Sequence, residues 1–294
     1  MQQRNKDIAI IGVPFRSGAN RDGAQQAPKE IMAHLALPMD NLLRFETEDK
    51  PLTDETVAGI KNYNAVLQMR DAVKNEVSAA IEKGNKVVTI GGDHSIAMGS
   101  IAGVLEHFPN AGVIWFDAHT DINTEATSPS GNAHGMPLAA LMGLCESGVN
   151  TIGAKLCPKN VYWVGARDID KGEWETIKQL GIEDQVFTAE KVHQIGMKDV
   201  MSKIRNAFTE ASIEQLHLSF DIDGMDPLIV PATGTPVKMG LNEIECYVFI
   251  NELTEGMPQL VSMDFVEYNP NMDDAHHTTG RWCAYKLEEL INLL

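Results

Sequence analysis

Val113-Ile114-Trp115-Phe116-Asp117-Ala118-His119-Thr120-Asp121 sets the architecture of this chain. Apolar residues 113–116, with no polar break, predict a strand buried on both faces, as in parallel sheets covered by helices. Metal-competent side chains then occupy every second position. Alternate residues of extended chain point to one side, so Asp117, His119 and Asp121 can converge on one point. A lone Asp-x-His reads more simply as a polar strand end entering a turn. The third ligand-type residue, and two further clusters of the same kind, favour a metal site.

Those clusters follow the same grammar. Lys86-Val87-Val88-Thr89-Ile90 runs into Gly91-Gly92-Asp93-His94-Ser95, and Leu216-His217-Leu218-Ser219-Phe220 into Asp221-Ile222-Asp223-Gly224. In open α/β sheets the carboxyl ends of parallel strands line the ligand crevice. The three strand ends are therefore expected to bring His94, Asp117, His119, Asp121, Asp221 and Asp223 together. The four carboxylates among them repel unless protonated or neutralised by cations. Two divalent ions balance their charge, whereas one would leave the cluster doubly negative. Two ions sharing carboxylates is the economical arrangement. Oxygen and imidazole ligands without thiolate favour manganese, with cobalt, iron or zinc as substitutes.

The chain has 294 residues, 44% hydrophobic and 22% charged, ordinary values for a globular enzyme with a sizeable core. A net charge of −17 disfavours nucleic acid or an anionic membrane as partner and suits a cationic ligand, although it also simply keeps a protein soluble. Cys145, Cys157, Cys246 and Cys283 form no C-x-x-C pair, which argues against a zinc-thiolate or disulfide framework and fits a reduced, cytoplasmic protein. No signal peptide or membrane-spanning run is read from the chain.

Taken in order, Asp7-Ile8-Ala9-Ile10-Ile11-Gly12-Val13-Pro14 is a strand, and Ala27-Pro28-Lys29-Glu30-Ile31 opens a helix with proline in its first turn. Arg21, in the loop between them, suits a ligand, an interface or plain solvation. Residues 39–64 read as an irregular surface excursion with one short strand. Val66, Met69, Val73, Val77, Ala80 and Ile81 keep helical spacing up to Gly84. Helices are also expected over residues 96–107, 174–180, 200–208 and 282–294. Strands are expected at Val161-Tyr162-Trp163-Val164-Gly165, Gln185-Val186-Phe187 and Gln259-Leu260-Val261-Ser262-Met263-Asp264-Phe265-Val266. Residues 122–135 form a polar loop leaving the ligand strand, placed to orient a polar substrate. Within it His134 is a candidate proton shuttle. Pro231-Ala232-Thr233-Gly234-Thr235-Pro236 is a constrained loop, and Glu267 sits at another strand end. His34, His107, His193, His217, His276 and His277 lack ligand-like spacing and read as surface, cap or satisfied core. Strand and helix signals alternate without linker or repeat, so residues 1–294 are expected to form a single α/β domain with a central, mainly parallel sheet flanked by helices in three layers.

Taken together the motifs resemble the ureohydrolases, the family of arginase, agmatinase and formimidoylglutamase. The strings that carry the resemblance are Gly91-Gly92-Asp93-His94-Ser95, Asp117-Ala118-His119-Thr120-Asp121, Ser130-Gly131-Asn132-Ala133-His134-Gly135, Ser219-Phe220-Asp221-Ile222-Asp223-Gly224-Met225-Asp226-Pro227, Thr233-Gly234-Thr235-Pro236 and Glu267-Tyr268-Asn269-Pro270. They stand in the family's order over nearly the whole chain. The Ser-Gly-Asn-x-His-Gly string and Gly224 after the Asp-x-Asp pair place the resemblance in the arginase branch, since agmatinases tend to carry a larger apolar residue at the latter position. The resemblance implies an arginase/deacetylase-like fold, two Mn2+ per subunit with Co2+ or other divalent ions as substitutes, and cytoplasmic homotrimers or homohexamers. It implies that His94, Asp117, Asp121 and Asp221 hold one ion, and His119, Asp117, Asp221 and Asp223 the other. His134 would be the catalytic histidine, Asp121 a relay, and Glu267 the carboxylate that holds a guanidinium. Asn123, Ser128, Ser130, Asp170 and Glu173 would read the α-carboxylate and α-amino group of L-arginine, supported by Asp168 and Thr235. Glu125, Ala126 and Pro129 depart from the small polar residues expected in the substrate loop.

The implied reaction is hydrolysis of L-arginine to L-ornithine and urea by hydroxide held between the two ions. Guanidinium carbon is a poor electrophile because resonance spreads its charge, so metal activation of water replaces a side-chain nucleophile. The enzymatic alternative is an agmatinase or another guanidino-compound amidinohydrolase, and the non-enzyme alternative a binding protein on the same fold. An aspartyl phosphotransferase would explain Asp221 but not His94, Asp117 and His119. A calcium loop fails because Gly224 stands fourth rather than sixth from Asp221, and Ala232 twelfth in place of glutamate.

Overall fold

Side chains alternate along the central strands between two separate apolar cores, and the sheet exists to divide them. Val113 and Trp115 enter one core while Ile114 and Phe116 enter the other; Val87 and Val88 divide in the same way. A strand apolar on both faces is stable only with helices on both sides, which is why these runs show no polar alternation.

The computed structural model describes residues 8–35, 37–45, 56–150 and 153–294. The strands are β1 (Ile8–Val13), β2 (Asn41–Leu42), β3 (Thr56–Val57), β4 (Ile60–Lys61), β5 (Lys86–Gly91), β6 (Gly112–Phe116), β7 (Val161–Val164), β8 (Val186–Phe187), β9 (Gln215–Asp221) and β10 (Gln259–Val266). The helices are α1 (Ala27–His34), α2 (Tyr63–Glu82), α3 (Ala97–Leu105), α4 (Pro137–Met142), α5 (Lys171–Leu180), α6 (Ala189–Ile195), α7 (Met197–Glu210), α8 (Glu243–Glu252) and α9 (Thr278–Ile291). One eight-stranded sheet runs in the order β2-β1-β5-β10-β9-β6-β7-β8, and every described pairing in it is parallel. Residues of α2, α3 and α4 pack in one core, residues of α1, α7, α8 and α9 in the other. The four adjacent strands at the centre, β5, β10, β9 and β6, are the ones whose carboxyl ends carry His94, Glu267, the Asp221/Asp223 pair and the Asp117 to Asp121 run. The expected fold class is the one observed.

Local expectations differ in places. The excursion over residues 39–64 contains β2, which extends the main sheet, and the antiparallel hairpin β3–β4. Residues 46–55 of that excursion, and Asp7 of the first expected strand, lie outside the described residues. α5 begins at Lys171, three residues earlier than expected, because the Glu173 carboxylate accepts the Asp170 amide at 2.9 Å and caps the first turn. α4, α6 and α8 were not expected. All of α4 is buried, which leaves no polar face to reveal a period. α8 buries Cys246 and Phe249 but exposes Ile244 and Tyr247, so no apolar stripe marks it; Asn242 and Glu245 form a capping box that does.

α3 is buried at every residue, between α2, α4 and the sheet. It fits because Gly99 and Gly103, one turn apart, let α2 approach: a Cβ on Gly99 would stand 2.6 Å from the Arg70 carbonyl and one on Gly103 2.8 Å from that of Lys74. His94 opens the turn that leads into α3, so this packing also holds the ligand. Gly99→Ala is expected to lower unfolding free energy by about 1–3 kcal/mol, because a backbone oxygen cannot swing aside. A urea midpoint matching the parent protein would show that α2 and α3 have room to spare.

Candidate metal centre

His94 lies in a short turn after β5, with Nδ1 2.9 Å from Asp117 Oδ2 and 3.2 Å from both Asp121 Oδ2 and Asp221 Oδ2. None of those oxygens makes a well-directed hydrogen bond to this buried nitrogen. Lone-pair atoms gathered in this way around one point match the shell of a cation, since adjacent ligands at roughly 2.1 Å from an octahedral ion stand about 3.0 Å apart. A second gathering lies beside the first: His119 Nδ1 is 3.3 Å from Asp117 Oδ1 and 3.2 Å from Asp223 Oδ2. Two groups thus have metal-holding geometry, His94 with Asp117 and Asp221, and Asp117 with His119 and Asp223. Asp117 belongs to both, offering one oxygen to each. Asp121 adjoins the first through His94, and Asp221 turns its other oxygen to the Asp223 amide at 2.7 Å.

The electrostatics state the same demand for positive charge. Burial opposes protonation of His94 and His119, yet the surrounding carboxylates outweigh it and hold both imidazoles well above their usual range. Burial followed by neighbouring acids pushes Asp221 up, and burial followed by Asp117 pushes Asp121 to about 6. Without cations the cluster recruits protons. A donor set of carboxylate and imidazole with no thiolate therefore fits two divalent ions.

The lining of the cleft above this floor includes His94, His119, Asp121, Asp221 and His134 together with Asn123, Ser128, Ser130, Asp168, Asp170, Glu173 and Thr235. Asp117 and Asp223 are buried beneath it. Within the walls, Asn123 Nδ2 donates to Asp170 at 2.9 Å and Asn123 Oδ1 accepts from Thr127. Ser128 and Ser130 accept from the amides of Gly131 and Asn132. Asp168 is largely exposed at the rim, 4.0 Å from His119 Nε2. Glu173 takes a backbone amide on each oxygen, from Ile122 and Asp170, and so braces the wall. Thr235 Oγ1 donates to Asp223 at 3.0 Å and so braces the floor.

Glu267 is buried and absent from the lining, with Oε1 accepting the His94 amide at 2.8 Å and lying 3.3 Å from His134 Nδ1. Burial works against a charge on His134, but the Glu267 contact dominates and lifts it to about 9. Asp121 and Glu267 both hold left-handed backbone, φ 47° and 68°, a conformation that costs a non-glycine residue of order 1–3 kcal/mol and that clusters at functional sites. The histidines set aside above stay outside the cleft.

Sequence reasoning missed several supports. Trp115 Nε1 donates to Asp117 Oδ2 at 2.9 Å, and its ring stacks on His94 at 4.0 Å between centroids. It precedes Asp117 by two residues, and strand alternation alone would have put it on the ligand's face. Asp93 accepts the Gly18 amide, while the Gly18 carbonyl accepts the His134 amide, an arrangement joining separate loops that has no local signature. The same is true of Arg167, whose guanidinium donates to carbonyls of Gly165, Asp223, Gly224, Met225, Val237 and Lys238.

Comparison with known proteins agrees with this geometry. The model of the arginase family matches residues 6–291. An arginase of Brevibacillus brevis is 39% identical, covering 93% of this chain and 94% of its own length. The crystal structure of Bacillus caldovelox arginase superposes with a TM-score of 0.88 at 33% identity, covering 97% of this chain and 98% of that one. Entamoeba histolytica arginase, solved in complex with L-ornithine, superposes with a TM-score of 0.81 at 35% identity over 96% of this chain and 97% of its own. The chain belongs to the arginase family.

Proposed function

We propose that this protein hydrolyses L-arginine to L-ornithine and urea, using two Mn2+ held by His94, Asp117, Asp121 and Asp221 and by Asp117, His119, Asp221 and Asp223. The observation that carries the reading is one cleft with two functional regions: paired metal-holding groups on its floor, and Asn123, Ser128, Ser130 and Asp170 along its wall. Guanidino chemistry belongs at the first, the α-amino acid group at the second. Arginase relatives, one of them solved with L-ornithine, support the same assignment.

Divalent ions at the floor would lower the pKa of water and stabilise charge developing at the guanidinium carbon. Asp117, which faces both groups, would hold both ions. Glu267 is held through Oε1 by the His94 amide, and its other oxygen, Oε2, lies close enough to Gly234 that a Cβ there would stand 3.5 Å from it. That oxygen can accept from a guanidinium N–H and so orient the reacting carbon. His134, at the mouth and favouring its protonated form, can donate to the departing amine. Asp121, on the cleft lining beside His94, is the carboxylate placed to take up a proton released from the attacking water.

Residues 1–294 would act as one catalytic domain, a reading supported by a family match running almost end to end. We assign the enzyme to the cytoplasm as a homotrimer or homohexamer. Free Cys145, Cys157, Cys246 and Cys283 support the reducing compartment, and exposed Leu228, Met239, Ile244 and Tyr247 supply apolar surface for subunit contact. Among the described residues no helix is long and apolar enough to cross a membrane.

Three measurements test the assignment. With Mn2+, urea release is expected from L-arginine and not from agmatine, and EDTA should abolish it; faster release from agmatine would transfer the activity to the alternative substrate. His134→Asn should lower kcat roughly 10²- to 10⁴-fold with both ions still bound, and an undiminished kcat would remove His134 from proton transfer. Asp223→Ala should leave the protein with one tightly bound ion, so elemental analysis still giving two would contradict the ligand assignment.

A further inference from the structure

Beneath the floor, on the side of the sheet that faces α3, lies a second polar cluster. Asp264 on β10, His217 and Ser219 on β9, and Ser100 on α3 are all fully buried. A single oxygen, Asp264 Oδ2, accepts from Ser100 Oγ at 2.7 Å, lies 3.1 Å from His217 Nε2, and receives a longer contact of 3.4 Å from Ser219 Oγ. Ser219 Oγ in turn lies 2.8 Å from His94 Nε2. The sheet register puts Asp264 beside Ser219, so the contact is built into the strand pairing. A carboxylate in the middle of a core is costly unless it is hydrogen-bonded, and here apolar residues surround the cluster on the same face.

We propose that Asp264 is a positioning residue for the metal centre, acting through Ser219 to fix which nitrogen of His94 faces the ions. This inference rests on His94 being a ligand, as assigned above. Both hydroxyls donate to Asp264 Oδ2, Ser100 at 2.7 Å and Ser219 at 3.4 Å, so the Ser219 hydroxyl points its proton to Asp264. Its lone pair then accepts from His94 Nε2–H. The other ring nitrogen, Nδ1, is left with a free lone pair aimed at the point that Asp117, Asp121 and Asp221 also face. Outer partners of this kind set the tautomer and ring orientation of metal-bound histidine. His217 and Ser100 hold Asp264 still while it does so.

The test is Mn2+ binding to metal-free protein, followed by electron paramagnetic resonance of the unbound ion. Asp264→Asn is nearly isosteric but brings an amide that can donate to Ser219, which lets the hydroxyl turn its proton toward His94 and reverses the relay. Ser219→Ala removes the link while leaving Asp264 with His217 and Ser100. Each variant is expected to weaken one of two Mn2+ sites by roughly 10- to 100-fold, with the other little changed and the metal-free protein melting as the parent does. If Asp264→Asn does not fold, Ser219→Ala alone decides. Parent-like affinity at both sites overturns the relay, as does equal weakening of both. A parent protein that fails to take up two ions would instead sink the ligand assignment on which the relay depends.

Discussion

Buried like charge is the constraint that the rest of this structure answers. Asp117, Asp121, Asp221 and Asp223 lie almost wholly out of solvent at the carboxyl edge of the sheet. Isolated, such groups would each cost several kcal/mol to ionise there. The surroundings reduce the cost without removing it: Trp115, Thr235 and the amides of Ala118, His119 and Asp223 donate to these carboxylates. What remains is a deficit of positive charge that protons on His94 and His119 can only partly meet. Cations meet it fully, so metal uptake and stability of the folded floor are expected to be linked.

Holding that arrangement requires rigidity from elements far apart in sequence. The strand ends supply the coarse placement, and the loops after them are then pinned individually. Arg167 gathers carbonyls from either side of the Asp223 turn and from residues 237–238, which holds the turn shut. Gly224 has no space for more than hydrogen, because a Cβ there would come within 2.7 Å of the Phe116 ring that packs behind Asp117. Asp121 and Glu267 accept left-handed backbone in the same region. Strain is tolerable at these points because their neighbours fix them on several sides at once.

Much of this was legible in the chain because the governing signals are local. Apolar runs without alternation announced a sheet covered on both faces, and ligand-type residues at every second position after Phe116 announced convergence. The exceptions share a cause. α4 is apolar all round, α8 is apolar on both its buried and exposed sides, and β2 is a two-residue edge, so none offers a period to read. The supports of the site were hidden for a different reason: Arg167, Asp93 and Asp264 work through partners on distant segments, and no spacing within one segment encodes them. Glu173, read as a substrate contact, lines the cleft and also accepts a backbone amide on each oxygen, a second task that its position alone did not reveal.

The departures in the substrate loop separate into two kinds on the same grounds. Glu125 stands outside the cleft lining, and its Oε1 accepts the Ser147 amide at 2.5 Å, tying the loop to a segment whose carbonyls at Gly148, Val149 and Asn150 are in turn held by Arg70 on α2. It therefore bears on how the wall is anchored and not on the cleft lining. Pro129 does face the cleft, between Ser128 and Ser130, and contributes a fixed φ to a stretch whose two hydroxyls lie 3.5 Å from each other. Walls made of pinned loops over a floor made of strand ends can change their residues without disturbing the metal groups. The metal groups are thus placed by the strand ends of the sheet, and the rest of the cleft lining by the loops above it.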